Sequence, residues 1–369
     1  MLIEDFKLEN WINEREKLAL YDLSNTCISP LTLKELGQIC DCDFDELFDI
    51  KLNYGKLWGS DNLKQAISNL YENQNFENIT VTLGGIGANN LVLKTLINKG
   101  DKVVCVLPCY QQAYSLSKFF GANVELFFLN ENDWSLDKEK FKEIVGNDTK
   151  LICLTTPNNP TGKSFSKDEV EFIIQTAKSC GAYIFADEVY RGLNHFGNPY
   201  SKSFADLYDK GIVTGSMSKA YSLAGIRLGW VVANSEIINK INLNREYNTI
   251  SISALDDYVA TVALNNQEKI IDRNLKIIED GKKIVKDFIE NNSKLSWVEP
   301  NSATICAVKY DLDEKSEVFC DKLFQKTGVL TIPASTFEYE KFFRIGFAMD
   351  KEYLKEALER ISDFIKRTY

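Results

Sequence analysis

The chain has 369 residues, 44% hydrophobic and 26% charged, enough to bury a sizeable core in two domains or in one large domain with appendages. Its net charge of −10 comes without a basic stripe, which argues against a nucleic-acid partner. The longest apolar runs, VVCVL and YIFA, fall far short of the roughly 20 residues of a membrane helix, and the acidic, mixed start MLIEDFKLENW has no signal-peptide pattern, so the expected location is the cytoplasm.

In chain order, residues 46–269 are expected to form a large doubly wound domain, and residues 1–45 with 270–369 a smaller α+β domain. Strand ITVTL (79–83) runs into GGIGANN and a helical pattern, ANNLVLKTLINKG, with a glycine stop. Strands KVVCVL (102–107) and VELFFL (124–129) follow, then the helical SLDKEKFKEIVG. LICLTT (151–156) leads into TPNNPTG, and SKDEVEFIIQTAKSCG reads as a helical pattern. YIFAD (183–187), IVTGS (212–216) and GWVVA (229–233) complete the strand series. Most of these runs are apolar throughout rather than alternating. That pattern predicts strands buried on both faces, in a mostly parallel sheet between helix layers. From about residue 255 one long helical stretch reaches about 290. Strands within ATICAVKY and FFRIGFAM follow, and the amphipathic KEYLKEALERISDFIKR closes the chain.

Four unusual loops follow strands directly, which places them on one edge of such a sheet, where ligands bind. In GGIGANN, Gly84 and Gly85 let a backbone approach closely at a helix start, as a phosphate cradle or as a tight turn. In TPNNPTG, Asn159 is aimed by a stiff backbone or is plain turn chemistry. Asp187 ends an apolar strand, where a carboxylate needs a partner or serves as a cap, with Tyr190 three residues on. In SMSKAYSLAGIR, Lys219 sits among Ser216 and Ser218 with Arg227 eight residues on. That setting suits a deprotonated, nucleophilic lysine beside an anion. The nine cysteines lack a C-x-x-C pair, and His195, the only histidine, lies in a polar loop expected to be solvated. No metal site is expected from them.

TPNNPTG, ADEVY, SMSKAYSLAGIRLGW and FFRIGFA, joined by NYGKLWGSDNLKQAI and NKGDKVVCVLPCYQQAY, resemble class I/II aminotransferases, which are fold-type I pyridoxal-phosphate enzymes. The likeness spans roughly residues 20 to 365. It implies an α/β fold, with a doubly wound, mostly parallel sheet in the large domain and a smaller α+β domain. It also implies pyridoxal 5'-phosphate held as an aldimine on Lys219, which shuttles the proton. Asp187 would pair with the pyridine nitrogen, Asn159 and Tyr190 with the phenolic oxygen, and Tyr110 would stack on the ring. Gly84, Gly85 and Ile86 would offer N–H groups to the phosphate, helped by Ser216, Ser218 and Arg227. Tyr54 would reach the phosphate of the other subunit, implying a homodimer with shared active sites. Arg344, with Asn159, would hold the α-carboxylate of an amino acid, and a 2-oxo acid would be the second substrate. The side-chain pocket would lie near Ser24–Thr26 and the partner subunit. The segments LENWINEREKLALYDLSNT, TLKEL and CDKLFQKTGVLTIPASTFE are similar to capreomycidine synthase-like members. They imply an alternative, a lyase or cyclase acting on a β-substituted amino acid.

Overall fold

The computed structural model describes residues 2–369. Among these residues, seven strands make the central sheet: β1 (Ile79–Leu83), β2 (Lys102–Leu107), β3 (Asn123–Phe128), β4 (Thr149–Thr155), β5 (Tyr183–Asp187), β6 (Gly211–Ser216) and β7 (Leu228–Val232). Their order is β1-β7-β6-β5-β4-β2-β3. The strands stand where the apolar runs predict them, with ends shifted by a residue or two. Strands β2 to β6 pair in parallel. Strand β7 runs antiparallel to both of its neighbours, β6 and β1. Burial on both faces makes GWVVA apolar throughout, and such a run reads the same in either direction.

Helix α1 (Gly84–Leu96) packs on β7, β6 and β1. It begins at Gly84, so the two glycines form its first turn rather than preceding it. Helix α2 (Lys167–Cys180) is fixed at both ends by its own sequence. Ser166 Oγ accepts from the Glu169 N–H at 3.2 Å while the Glu169 carboxylate takes the Ser166 N–H at 2.8 Å, and Gly181 ends the helix at φ 74°. The long helical stretch is two helices, α3 (Ala254–Asn265) and α4 (Gln267–Glu290). They divide at Asn266, whose side-chain amide bonds back to the Val262 carbonyl at 3.0 Å.

A second, antiparallel sheet contains β8 (Leu295–Trp297), β9 (Ile305–Tyr310), β10 (Ile332–Pro333) and β11 (Phe342–Gly346), ordered β10-β11-β9-β8. The C-terminal helix α5 (Lys351–Thr368) packs on α4. The N-terminal segment ties the two sheets together. Tyr21–Asp22 pairs in parallel with Val329–Leu330, the Trp11 indole donates to the Thr331 carbonyl at 2.9 Å, and the Lys7 N–H donates to Gln111 at 2.8 Å. Residues 7–27 therefore form a wall between the sheets, above the ends of β1, β4, β5 and β6.

Candidate active site

The loops after β1, β4, β5 and β6 converge on one cleft of about 430 Å³. Gly85, Ile86, Tyr110, Asn159, Asp187, Tyr190, Ser216, Ser218, Lys219, Arg227 and Arg344 all line it.

At one end lie the first turn of α1 and the loop after β6. The early N–H groups of a helix have no intrahelical partner, so they attract an anion. Ser216 Oγ and Ser218 Oγ are 3.0 Å apart, and the Arg227 guanidinium lies 3.5 Å from Ser218 Oγ. Gly84 sits just behind this group at φ 68°, and a Cβ there would stand 2.8 Å from an Arg227 nitrogen. A Cβ on Gly229 would meet the Gly84 carbonyl carbon at 2.4 Å, so β7 can approach the turn only as glycine.

In the middle lies Asp187, buried at the end of β5. Asn89 donates to its carboxylate at 2.8 Å, and the Val189 N–H donates at 3.2 Å. Thr214 in turn donates to the Asn89 carbonyl at 2.7 Å, which fixes the orientation of the amide. Burial, the largest influence, pushes the Asp187 carboxyl above its ordinary range, and these two donors and Lys219 pull against it. Asp187 forms no ion pair with a side chain of the described residues. A cationic ring nitrogen would remove the cost of its burial. Asn89 and Thr214 escape a motif reading. Asn89 follows Gly85 by four residues, the spacing that puts both on one helix face, and that is the signal for it.

Lys219 is half-buried on the cleft floor. Its Nζ donates to Thr26 Oγ1 at 2.6 Å and approaches Cys27 Sγ at 3.3 Å. Burial draws the amine down, but the ionisable Tyr190 and Cys27 outweigh it and hold Lys219 above its ordinary range. That direction runs opposite to the deprotonated lysine expected from the sequence, although the charge of Arg344 does pull the amine down.

Arg344, on β11, is 1% exposed. It donates to Asn159 Oδ1 at 3.1 Å and to the Ser24 carbonyl, and its buried Nε has no partner. No carboxylate of the described residues pairs with it. Burial pulls the guanidinium below its usual range, while Tyr190, Asp22 and Glu9 favour its charge. A buried cation with an unsatisfied donor and no anion is built to receive one. Tyr110 donates its hydroxyl to Glu9 at 2.6 Å, a contact from the N-terminal helix Lys7–Asn13 that no local pattern announces.

Tyr54, expected to serve the other subunit, and His195, expected in a solvated loop, both lie away from this cleft. Tyr54 is 78% exposed and does not line it. His195 is not solvated. It is half-buried, with its ring nitrogens 3.1 Å from the Pro300 carbonyl and 2.8 Å from the Ala303 carbonyl, and it does not line the cleft.

A doubly wound sheet with a lysine, a carboxylate and an anion-binding helix start at its strand ends defines a pyridoxal-phosphate-dependent enzyme of fold type I. The chain belongs to the aminotransferase class I and II family, whose model matches residues 46–361. Among solved structures, a PLP-dependent aminotransferase from Streptococcus suis 89-1591 is 38% identical and superposes with a TM-score of 0.96, covering 100% of this chain and 99% of that one. Among curated proteins, (5-formylfuran-3-yl)methyl phosphate transaminase from Methanocaldococcus jannaschii is 28% identical over 89% of this chain and 88% of its own. Capreomycidine synthase from Streptomyces vinaceus is 25% identical over 96% of this chain and 92% of its own. The cofactor is pyridoxal 5'-phosphate, and the cleft fits it: an anion-binding turn, a buried acid without a cation and a lysine amine stand in one place.

Proposed function

We propose that the chain moves an amino group from an L-amino acid to a 2-oxo acid. The observation that carries this reading is a lysine amine and a buried arginine without an acidic partner in one cleft. Bound pyridoxal phosphate supplies an electron-withdrawing ring, which stabilises the negative charge left when a bond at the amino acid's Cα breaks.

The chain's residues do the rest. Lys219 would hold the cofactor, and its Nζ is the amine placed to accept and donate the Cα proton. Thr26 Oγ1 anchors that amine between steps. Asp187, aimed by Asn89, would keep the ring nitrogen protonated. Asn159 and Tyr190 would donate to the phenolic oxygen, and the bond from Arg344 to Asn159 Oδ1 leaves the Asn159 NH₂ free to do so. Tyr110 would stack on the ring. Gly84, Gly85 and Ile86, with Ser216, Ser218 and Arg227, would hold the phosphate. Arg344 takes the α-carboxylate as a bidentate partner.

The functional unit we propose is a homodimer with Tyr54 serving the neighbouring phosphate. Support comes from the exposed apolar side chains Phe48, Leu52, Tyr54, Tyr247 and Ile250. The cytoplasm is the proposed location, in keeping with nine free cysteines. The proposed domain division is a large domain of residues 46–269 and a smaller one of residues 1–45 with 270–369.

A second reading, elimination or ring closure on a β-substituted amino acid, draws support from Cys27. Its thiol is a second proton-bearing group beside Lys219 Nζ. Single turnover of the holoprotein with an accepted amino acid separates the two. Recovery of the cofactor as its amine form with an equal amount of oxo acid is expected. Recovery of the aldehyde form, with loss of a β-substituent or appearance of a ring, would favour the second reading.

A further inference from the structure

The thiol of Cys27 stands 3.3 Å from Lys219 Nζ, and both side chains line the cleft. Two bonds fix the backbone that carries the thiol. The Cys27 N–H donates to Asn25 Oδ1 at 2.8 Å, and the carbonyl of its neighbour Thr26 accepts from Thr304 Oγ1 at 2.7 Å. A third bond, from Lys219 Nζ to Thr26 Oγ1 at 2.6 Å, fixes the amine. Sulfur and nitrogen are thus held as neighbours by the fold, which removes most of the entropy cost of a reaction between them. Among the described residues, no other thiol of the nine is hydrogen-bonded to an amine. Six of the nine are buried, whereas Cys27 is half-buried at the cleft.

A thiol and an amine so placed can be joined by oxidation. The co-reactant is hydrogen peroxide, which is smaller than any amino acid the cleft would admit. Cys27 Sγ attacks one peroxide oxygen, the O–O bond breaks, and a sulfenic acid and one water result. The neutral Lys219 amine then attacks Sγ. The S–O bond breaks, and its oxygen leaves as water with the proton shed by the nitrogen. One thiol, one amine and one peroxide give one S–N bond and two waters; sulfur loses two electrons and the peroxide gains them. Two equivalents of a small thiol reverse the reaction, becoming a disulfide as the S–N bond is cleaved. Lys219 is held above its ordinary range, so the second step should speed up as pH rises.

We propose that Cys27 and Lys219 form a reversible oxidative crosslink that closes the attachment point of the cofactor. This rests on the reading that Lys219 holds the cofactor. A lysine bonded to pyridoxal phosphate has no free amine to give, so the holoprotein resists the crosslink and the cofactor-free protein takes it. In the crosslinked chain the cofactor finds no amine to bond, and a reductant restores one.

The test treats the holoprotein and the cofactor-free protein with equimolar hydrogen peroxide and digests each for mass spectrometry. In the cofactor-free protein the Cys27 and Lys219 peptides should appear as one species, about 2 Da below the sum of the two. Cofactor uptake, read by absorbance, should fall about fivefold or more and return after dithiothreitol. More crosslink should form near pH 9 than near pH 7. The near-isosteric C27S should take up cofactor equally before and after peroxide, compared within one preparation; the mass result decides alone if that variant does not fold. The proposal is overturned if Cys27 is recovered free, as a sulfinic acid or in a disulfide, with Lys219 unmodified, or if C27S loses uptake as the wild type does. A crosslink that forms in the holoprotein while the cofactor stays bound would instead remove Lys219 as its attachment point and leave the crosslink standing.

Discussion

Replacing Arg344 with lysine keeps a positive charge on β11 and removes the planar fork. In the structure the guanidinium is fully buried, spends one nitrogen on Asn159 Oδ1 at 3.1 Å and another on the Ser24 carbonyl, and leaves Nε unpartnered. A carboxylate arriving there gains charge-assisted hydrogen bonds worth about 1.5–3 kcal/mol each. An ammonium retains the attraction but loses one of two parallel bonds, so about 1.5–3 kcal/mol should go, or roughly 10- to 150-fold in kcat/KM. The loss should appear mainly in KM, because the α-carboxylate is held equally in the ground and transition states. Steady-state kinetics with an accepted amino acid, together with the cofactor content of the purified variant, provide the assay. Cofactor content should stay at the wild-type level. A kcat/KM within threefold of wild type would refute the role given to Arg344.

Asp187→Asn should retain the cofactor and lose about 10²–10³ in kcat, since an amide does not stabilise a protonated ring nitrogen; near-wild-type turnover would contradict the assignment. Because Tyr190 and Cys27 hold Lys219 above its ordinary range against the pull of burial, the neutral amine is scarce at pH 7. Capture of the cofactor by cofactor-free protein should therefore speed up as pH rises from 7 to 9, by up to about tenfold per unit. A rate that is flat or falls over that range, measured by stopped-flow absorbance, would show that the lysine is already neutral. Borohydride reduction of the holoprotein followed by peptide mapping should place the label on Lys219 and on no other lysine. Sedimentation at micromolar concentration should find a dimer, and Tyr54→Phe should weaken cofactor retention in it; a fully loaded, active monomer would exclude the shared site.

The strand ends and their loops were legible because local chemistry produces both. An apolar run bounded by glycine or proline is a buried strand, and a lysine among serines next to one is hard to explain as a solvent-facing residue. The orientation of β7 was not legible, since a two-faced apolar strand carries no mark of direction. Nor were the partners that cross between chain segments. Thr26, Cys27 and Glu9 meet Lys219 and Tyr110 only because Tyr21–Asp22 pairs with Val329–Leu330 and pulls the N-terminal wall over the cleft. The expected helix from 255 to 290 missed its break because asparagine inside a helical pattern costs little until its side chain takes a backbone carbonyl. His195 illustrates the reverse error. A polar loop suggested solvent, but the loop folds back on Pro300 and Ala303.

Because β7 returns against β6, residues 217–227 are a closed loop with no crossover helix inside it. The Met217 N–H donates to the Leu228 carbonyl at 3.0 Å, and the Leu223 N–H to the Met217 carbonyl at 3.1 Å, so the loop is cinched at its neck. In a strand–helix–strand connection an added residue can be absorbed at the far end of the helix, away from the ligand. Here every residue added or removed changes the circumference of a ring that carries Lys219 on one side and Arg227 on the other. Chain length in this loop should thus be the least negotiable in the protein, even where individual side chains can change. Single-residue insertions between Ala220 and Ile226 should abolish cofactor retention, whereas insertions in the exposed turn around Asn198 should be tolerated.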